Sequence, residues 1–192
     1  DKVKKINIFG LEENDQKNLL YNLNSLDLKN IFFINKKNFQ NIIENNSLVE
    51  EYNVIKKYPH SIDINIKKTN FIARINENGK FFLVGNNGKI SNNYNSEAQL
   101  PYIFGNPEIN EVLKLKKIID QSNIEYSQIK SLYYFKSNRW DLKLSNNIII
   151  KLPEIIKKET LDEISVFLKK INLENKKIVD VRIKNQIIIL DE

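Results

Sequence analysis

The sequence predicts an α+β protein: a β-α-α-β-β unit at the N-terminal end, then a mostly antiparallel β domain with two packed helices. Three observations carry that prediction. Directly after Tyr58-Pro59, Ile62, Ile64 and Ile66 alternate with Asp63, Asn65 and Lys67, which places three isoleucines on one face of a strand. Asn78-Gly79 separates the apolar runs 71–75 and 81–84, and both residues tolerate the positive φ of a tight hairpin. Leucine and isoleucine recur at helical spacing in two segments of the first half and two of the second.

The elements follow in order. In residues 3–9, Val3, Ile6 and Ile8 mark a short strand that ends at Gly10. Asn14 can cap a helix bearing Leu19, Leu20 and Leu23, and Asn35 a second one bearing Phe39, Ile42 and Ile43, with 31–34 a short apolar connector. Val49, Tyr52 and Val54 lead to Tyr58-Pro59, where proline breaks the run because it fixes φ and pushes its predecessor toward extended geometry. After the 71–84 hairpin, Asn87-Gly88 gives another such turn, and 91–99 is a polar loop. Pro107 precedes a helix with Ile109, Val112, Leu115 and Ile119. Strands follow at 130–136, 139–144 and 147–152, joined by Ser137-Asn138 and Ser145-Asn146. Thr160 and Glu163 have capping-box spacing at the start of a helix with Leu161, Ile164, Phe167, Leu168 and Ile171. Residues 178–190 return to strand character, with Lys184-Asn185-Gln186 a turn or bulge.

Composition excludes several functions. The net charge of +6 suits a nucleic-acid binder, but the lysines are dispersed, many beside an acid, and no block of like charge occurs. Without cysteine there is no disulfide framework, thiolate nucleophile or Cys-type metal site. His60 is the only histidine, so a Ser-His pair or a histidine metal site would have to pass through it, and it stands beside Pro59 at a strand entry. The acidic pairs Glu12-Glu13 and Glu50-Glu51 are adjacent in sequence and suit solvated surfaces rather than opposed catalytic carboxylates. Gly85-Asn86-Asn87-Gly88 lacks phosphate-loop spacing and leads into a strand. No catalytic, cofactor-binding or metal-ligating residue is therefore expected. No apolar run reaches the length of a membrane span, and with no initiating Met at Asp1 the chain reads as a portion of a longer precursor.

Binding features are stronger. Arg74, Arg139 and Arg182 are the only arginines in a lysine-rich chain, and arginine's planar fork holds a carboxylate in two bonds as lysine cannot. Trp140 is read as a core anchor. If the 178–190 strand lies at a sheet edge, its free N–H and C=O groups can pair with another chain while Arg182 selects it. If it is covered or central, it offers no site.

Lys56-Lys57-Tyr58-Pro59 with the Ile62–Ile66 alternation resembles the middle of a POTRA domain, a small module of membrane-associated assembly proteins. The wider order of motifs resembles the periplasmic part of the FtsQ/DivIB bacterial division family. Ile6-Asn7-Ile8-Phe9-Gly10 is similar to its opening strand, and Val54-Ile55-Lys56-Lys57-Tyr58-Pro59 to a later POTRA segment. Phe82-Leu83-Val84, Leu100-Pro101 and Gly105 resemble the start of its β domain. Ser137-Asn138-Arg139-Trp140-Asp141-Leu142 with Ile148-Ile149-Ile150-Lys151-Leu152 resembles that domain's hairpin, and Val179-Asp180-Val181-Arg182 its final strand. One departure falls at the domain junction: where the family has an acidic-basic pair, then Pro and Ala, only Ala73 matches.

The resemblance implies a POTRA domain over 1–71 and an FtsQ-type β domain over 72–192. It implies a non-enzymatic, cofactor-free divisome scaffold, bound neither to nucleic acid nor to a small-molecule substrate. Such a protein is held in the inner membrane by a single helix upstream of residue 1, with this region in the periplasm at the septum. It captures the FtsB–FtsL pair by strand addition to its C-terminal strand and links early and late division proteins for septal peptidoglycan synthesis, while the POTRA part meets other divisome proteins. By carry-over the partner-binding residues are Arg139, Val181, Arg182, Ile183, Lys184, Asn185 and Gln186, facing acids on FtsB. The competing reading is a POTRA-bearing outer-membrane assembly or secretion factor that receives unfolded substrate strands.

Overall fold

The chain separates into two units, residues 1–70 with 85–91, and residues 71–84 with 92–192. The computed structural model describes residues 2–26, 28, 30–92, 99–171 and 177–191. Residues 93–98 of the expected polar loop lie outside that set.

In the first unit β1 (Lys5–Phe9), α1 (Glu13–Leu23), α2 (Lys37–Glu44), β2 (Val49–Lys57) and β3 (Ser61–Lys68) follow one another. The sheet order is β1-β3-β2, with β1 parallel and β2 antiparallel to β3. Ile62, Ile64 and Ile66 are buried with Leu19 and Leu23 of α1 and Phe39 and Ile43 of α2. This is the β-α-α-β-β unit the alternation predicts. Gly10 closes β1 at φ 92, and a Cβ there would sit 1.8 Å from the Ile66 carbonyl oxygen, so no other residue fits. The Tyr58-Pro59 bond is cis. Asn87 ties 85–91 to this unit by donating to the Ser47 and Val49 carbonyls at 3.0 and 2.9 Å.

The helix starts separate good signals from misleading ones. Asn35 caps α2 as expected: its Oδ1 accepts from the Lys37 N–H at 3.0 Å, and Asn38 Oδ1 reaches back to the Asn35 N–H at 2.7 Å. Asn14 does not cap α1. It lies inside the helix, and Glu12 holds the extended N-cap geometry. At Asn87-Gly88 only Gly88 has positive φ, and the Asn87 side chain serves as an anchor.

The second unit holds β4 (Phe71–Glu77) and β5 (Lys80–Gly85), whose turn residues Asn78 and Gly79 have φ 53 and 79. After β6 (Ile90–Ser91), placed with the first unit, come β7 (Tyr102–Phe104), α3 (Ile109–Asp120), β8 (Ile129–Tyr134), β9 (Trp140–Leu144) and β10 (Ile149–Lys151). The chain continues with α4 (Lys158–Lys170), β11 (Lys177–Asp180) and β12 (Ile188–Asp191). The strands of this unit lie in the order β12-β11-β10-β9-β8-β7-β4-β5. The sheet is mixed: β8, β9 and β10 form an antiparallel meander, whereas α3 and α4 are crossovers that make β7 parallel to β8 and β10 parallel to β11.

Two expectations about this unit are corrected. α4 begins one turn before the Thr160–Glu163 pair, because Lys157 takes the extended N-cap conformation (φ −118, ψ 154); Thr160 is interior, and the start has no side-chain cap. The 178–190 run is not one strand. It is the hairpin β11–β12, turned at Asn185 (φ 61), where the Gln186 N–H bonds the Ile183 carbonyl at 3.2 Å.

Candidate functional site: the free edge of the second sheet

Cross-strand neighbours share a face of a sheet, so the register defines two rows. On the core side Ile103, Leu132, Leu142, Ile150 and Val179 stand side by side, then Ile189 of β12. The first five are buried under the sheet's helices with Val112, Leu115, Ile119, Leu161 and Ile164, but Ile189 is 40% exposed. The apolar row runs off the sheet unfinished. Ile188 and Leu190, on the other face, are also exposed, at 36% and 44%. β12 pairs with β11 on one side and has no strand on its other side among the described residues. Its residues Ile188, Ile189, Leu190 and Asp191 include no proline or lysine, the usual protection of an edge.

On the opposite face the row reads Phe104, Tyr133, Asp141, Lys151, Asp180, Ile188. Phe104 and Tyr133 stack with ring centroids 5.0 Å apart. Beyond them lies a charged ladder. Arg182 closes on Asp180: its Nε donates to both carboxylate oxygens at 2.8 and 3.0 Å, and its Nη2 also bonds Oδ2. That clasp holds the Asp180 carboxyl below the usual carboxylate range. Arg139 forms an ion pair with Asp141 at 3.5 Å, beyond hydrogen-bond length, so its Nε and Asp141 Oδ1 remain buried without a hydrogen-bond partner. Burial pushes the Asp141 carboxyl up, offset in part by Arg139, Lys151 and Arg182.

Between the 181–187 connection and the start of α4 lies a groove of about 730 Å³. Ile155, Ile183 and Ile187 give it exposed apolar walls, while Lys157 and Glu163 add charge.

The structure brings Arg139 and Arg182 to one ladder, through their ion pairs with Asp141 and Asp180 on either side of Lys151. Ile183, Lys184, Asn185 and Gln186 line the groove rather than an edge. Val181 is buried, and its N–H donates to the Lys151 carbonyl at 3.0 Å. β11 is paired on both sides, so residues 178–180 cannot accept another strand; the open backbone belongs to β12. Sequence reasoning missed Asp141, Lys151 and Asp180 as a ladder, although each stands at an alternating position of its strand. His60 sits half-buried in the β2–β3 turn, its carbonyl accepting from the Lys4 N–H at 2.9 Å. Among the described residues no group of three or more side chains is arranged to hold a metal ion, and no helix is long and apolar enough to cross a membrane.

A POTRA unit followed by a mixed sheet with an open C-terminal edge defines the class of this chain: a POTRA-bearing α+β protein. A family model for the C-terminal region of cell division protein FtsQ/DivIB matches residues 73–182, and one for the FtsQ-type POTRA domain matches residues 2–68. The chain belongs to the FtsQ/DivIB family of bacterial cell division proteins, which are membrane-anchored. It is similar to the cell division protein FtsQ of Rickettsia bellii, 28% identical over 195 residues that cover 96% of this chain and 70% of the relative. FtsQ of Rickettsia conorii is 28% identical over 192 residues with the same coverage. Among solved structures, the major extracytoplasmic domain of the division protein DivIB from Geobacillus stearothermophilus matches with a TM-score of 0.39 and 12% identity, over 56% of this chain and 99% of that one. The family membership decides for division over outer-membrane assembly.

Proposed function

We propose that this chain is a non-enzymatic divisome scaffold that captures an FtsB–FtsL type pair by strand addition at β12. The POTRA domain (1–71) meets other divisome proteins, and the β domain (72–192) holds the pair, linking early and late division proteins for septal peptidoglycan synthesis. In this reading the chain lies in the periplasm at the septum, held to the inner membrane by a helix upstream of residue 1. The carrying observation is the unfinished apolar row: Ile189 stands exposed beside buried Val179 on a strand with one open side.

A partner strand laid along β12 completes that row and satisfies the outer N–H and C=O groups. Its next residues enter the groove against Ile155, Ile183 and Ile187. Arg182, with its side chain 41% exposed and already clasping Asp180, offers its remaining N–H groups to an acid on the partner, and Arg139 lies further along the same ladder. Lys184, Asn185 and Gln186 form the rim, and Val181 supports it from inside.

The chain has no cysteine, so one introduced at Gln186 can carry a unique photocrosslinker. The expected result is capture of an FtsB-type partner from Gln186→Cys and not from Asn78→Cys on the β4–β5 turn. Equal capture from both positions, or none from the first, refutes the assignment.

A further inference from the structure

We propose that the tip of the first unit where the chain enters β1 is a peripheral binding site for an anionic lipid bilayer. The family's membrane anchor, part of the reading above, explains why a bilayer is at hand; the surface itself is argued from this unit alone.

β1 and β3 are parallel, with Lys5 beside Ser61, and β2 runs opposite, so the start of β1 and the β2–β3 turn share one end of the sheet. A backbone bond joins the two, Lys4 N–H to the His60 carbonyl at 2.9 Å, and another ties the β1 entry to the α1–α2 connection, Val3 N–H to the Leu28 carbonyl at 3.4 Å. That connection lays Phe32 on Tyr58, ring centroids 5.2 Å apart, and Lys56 Nζ fixes it by donating to the Phe32 carbonyl at 3.0 Å. Two rings in contact are thus held out in water, with Phe32 63% and Tyr58 59% exposed, and Phe33, the next residue of the same connection, is 82% exposed. Single exposed apolar residues are ordinary, but a contiguous aromatic patch marks an interaction surface.

Charge identifies the occupant. Lys2, Lys4, Lys5 and Lys57 are exposed at this same end of the sheet. Among the described residues, Lys2, Lys4 and Lys5 have no carboxylate partner; the acids in and beside these segments are Asp1, Asp27 and Asp63, fewer than the lysines, and Asp63 is 3.9 Å from Lys57 and accepts from Asn7 at 2.7 Å. At the far end of the strands the lysines are neutralised instead: Lys68 by Glu12, and Lys67 by Glu50 and Glu51. The unit is polarised along its strands, and the positive pole carries the aromatic rings. Rings at the headgroup level with ammonium groups on lipid phosphates are what a bilayer interface accepts.

The test is flotation of the whole chain with phosphatidylcholine vesicles, with and without phosphatidylglycerol. The chain is expected to float only with the anionic vesicles and to be released by salt. Each lysine at an anionic surface is worth about fivefold in partition, so Lys4→Glu with Lys5→Glu lowers it by about 25-fold or more. Phe33→Ser, which removes a ring that packs little, weakens flotation as well. Reversal of Lys130 and Lys136 in the second unit leaves it close to the parent. Failure of the parent to float, an equal loss from the Lys130/Lys136 reversal, or full flotation by Phe33→Ser overturns the proposal. A titration of the chain with an FtsB-type fragment in lipid-free buffer reports on the scaffold reading separately, so either can fail alone.

Discussion

Replacing Ile188 and Leu190 together by lysine converts the open edge into a protected one. Both side chains stand on the face opposite the helices, across from Asp180 and Ile178, and they are 36% and 44% exposed. The fold loses little, because lysine stems still cover the sheet while the ammonium groups reach water; full burial of such a side chain is worth about 1.5–3 kcal/mol and part of that is retained, so the cost is about 1–2 kcal/mol in total. Docking is hit harder. The exposed remainder of each side chain, on the order of 70 Å², yields about 1.5–2 kcal/mol when a partner strand covers it. Loss of both amounts to about 3 kcal/mol, or about a hundredfold in Kd. Calorimetric titration with an FtsB-type fragment measures the affinity, and urea unfolding with an unchanged m-value shows that the second unit remains folded. An affinity within about threefold of the parent would refute the reasoning, since no account of strand addition at β12 survives two added charges at that edge.

The two ladder carboxylates respond to pH in opposite senses. Arg182 lowers the folded value of Asp180, so its contribution is present above the ordinary carboxylate value and is lost as pH falls through the depressed one. Asp180→Asn should therefore destabilise the domain at neutral pH and flatten the acid limb of stability against pH, read by urea midpoints across the acid range. Burial raises Asp141, so its protonated form favours folding at low pH and that contribution is lost as pH rises through the raised value. Asp141→Asn should remove this loss and leave the domain at least as stable at neutral pH; a large destabilisation there would mean that the Arg139 ion pair outweighs burial. In the first unit, Gly10→Ala puts a Cβ 1.8 Å from the Ile66 carbonyl oxygen at φ 92. The left-handed backbone alone costs about 1–2 kcal/mol, and the clash adds to it. A drop in Tm of less than about 4 °C on calorimetry would show that the β1 exit shifts freely.

Local signals were legible where one residue decides the geometry. The Ile62, Ile64, Ile66 period fixes the buried face of β3. Asn78-Gly79 and the Asn35 cap act through their own backbone or side chain. Where two patterns compete, the sequence misleads: Thr160 and Glu163 have capping-box spacing, yet the extended backbone falls at Lys157. The 178–190 run carries no glycine or proline, and only Asn185 tolerates the left-handed turn that folds it into a hairpin. The candidate site was legible as a set of residues but not as a surface. Arg139 and Arg182 stand out by type, whereas Asp141, Lys151 and Asp180 become a ladder only through the register of β9, β10 and β11. Edge or centre is a property of strand order, which no local stretch contains; β11 is central because the chain turns back on it as β12.

Amide hydrogen exchange of residues 188–191, with and without an FtsB-type fragment, tests strand addition most directly. In the free chain the β12 amides that point away from β11 exchange rapidly. On binding, those amides become protected together with the rim at 183–187, while the first unit is unchanged. Saturating fragment that leaves 188–191 exchanging at the free rate contradicts strand addition at this edge.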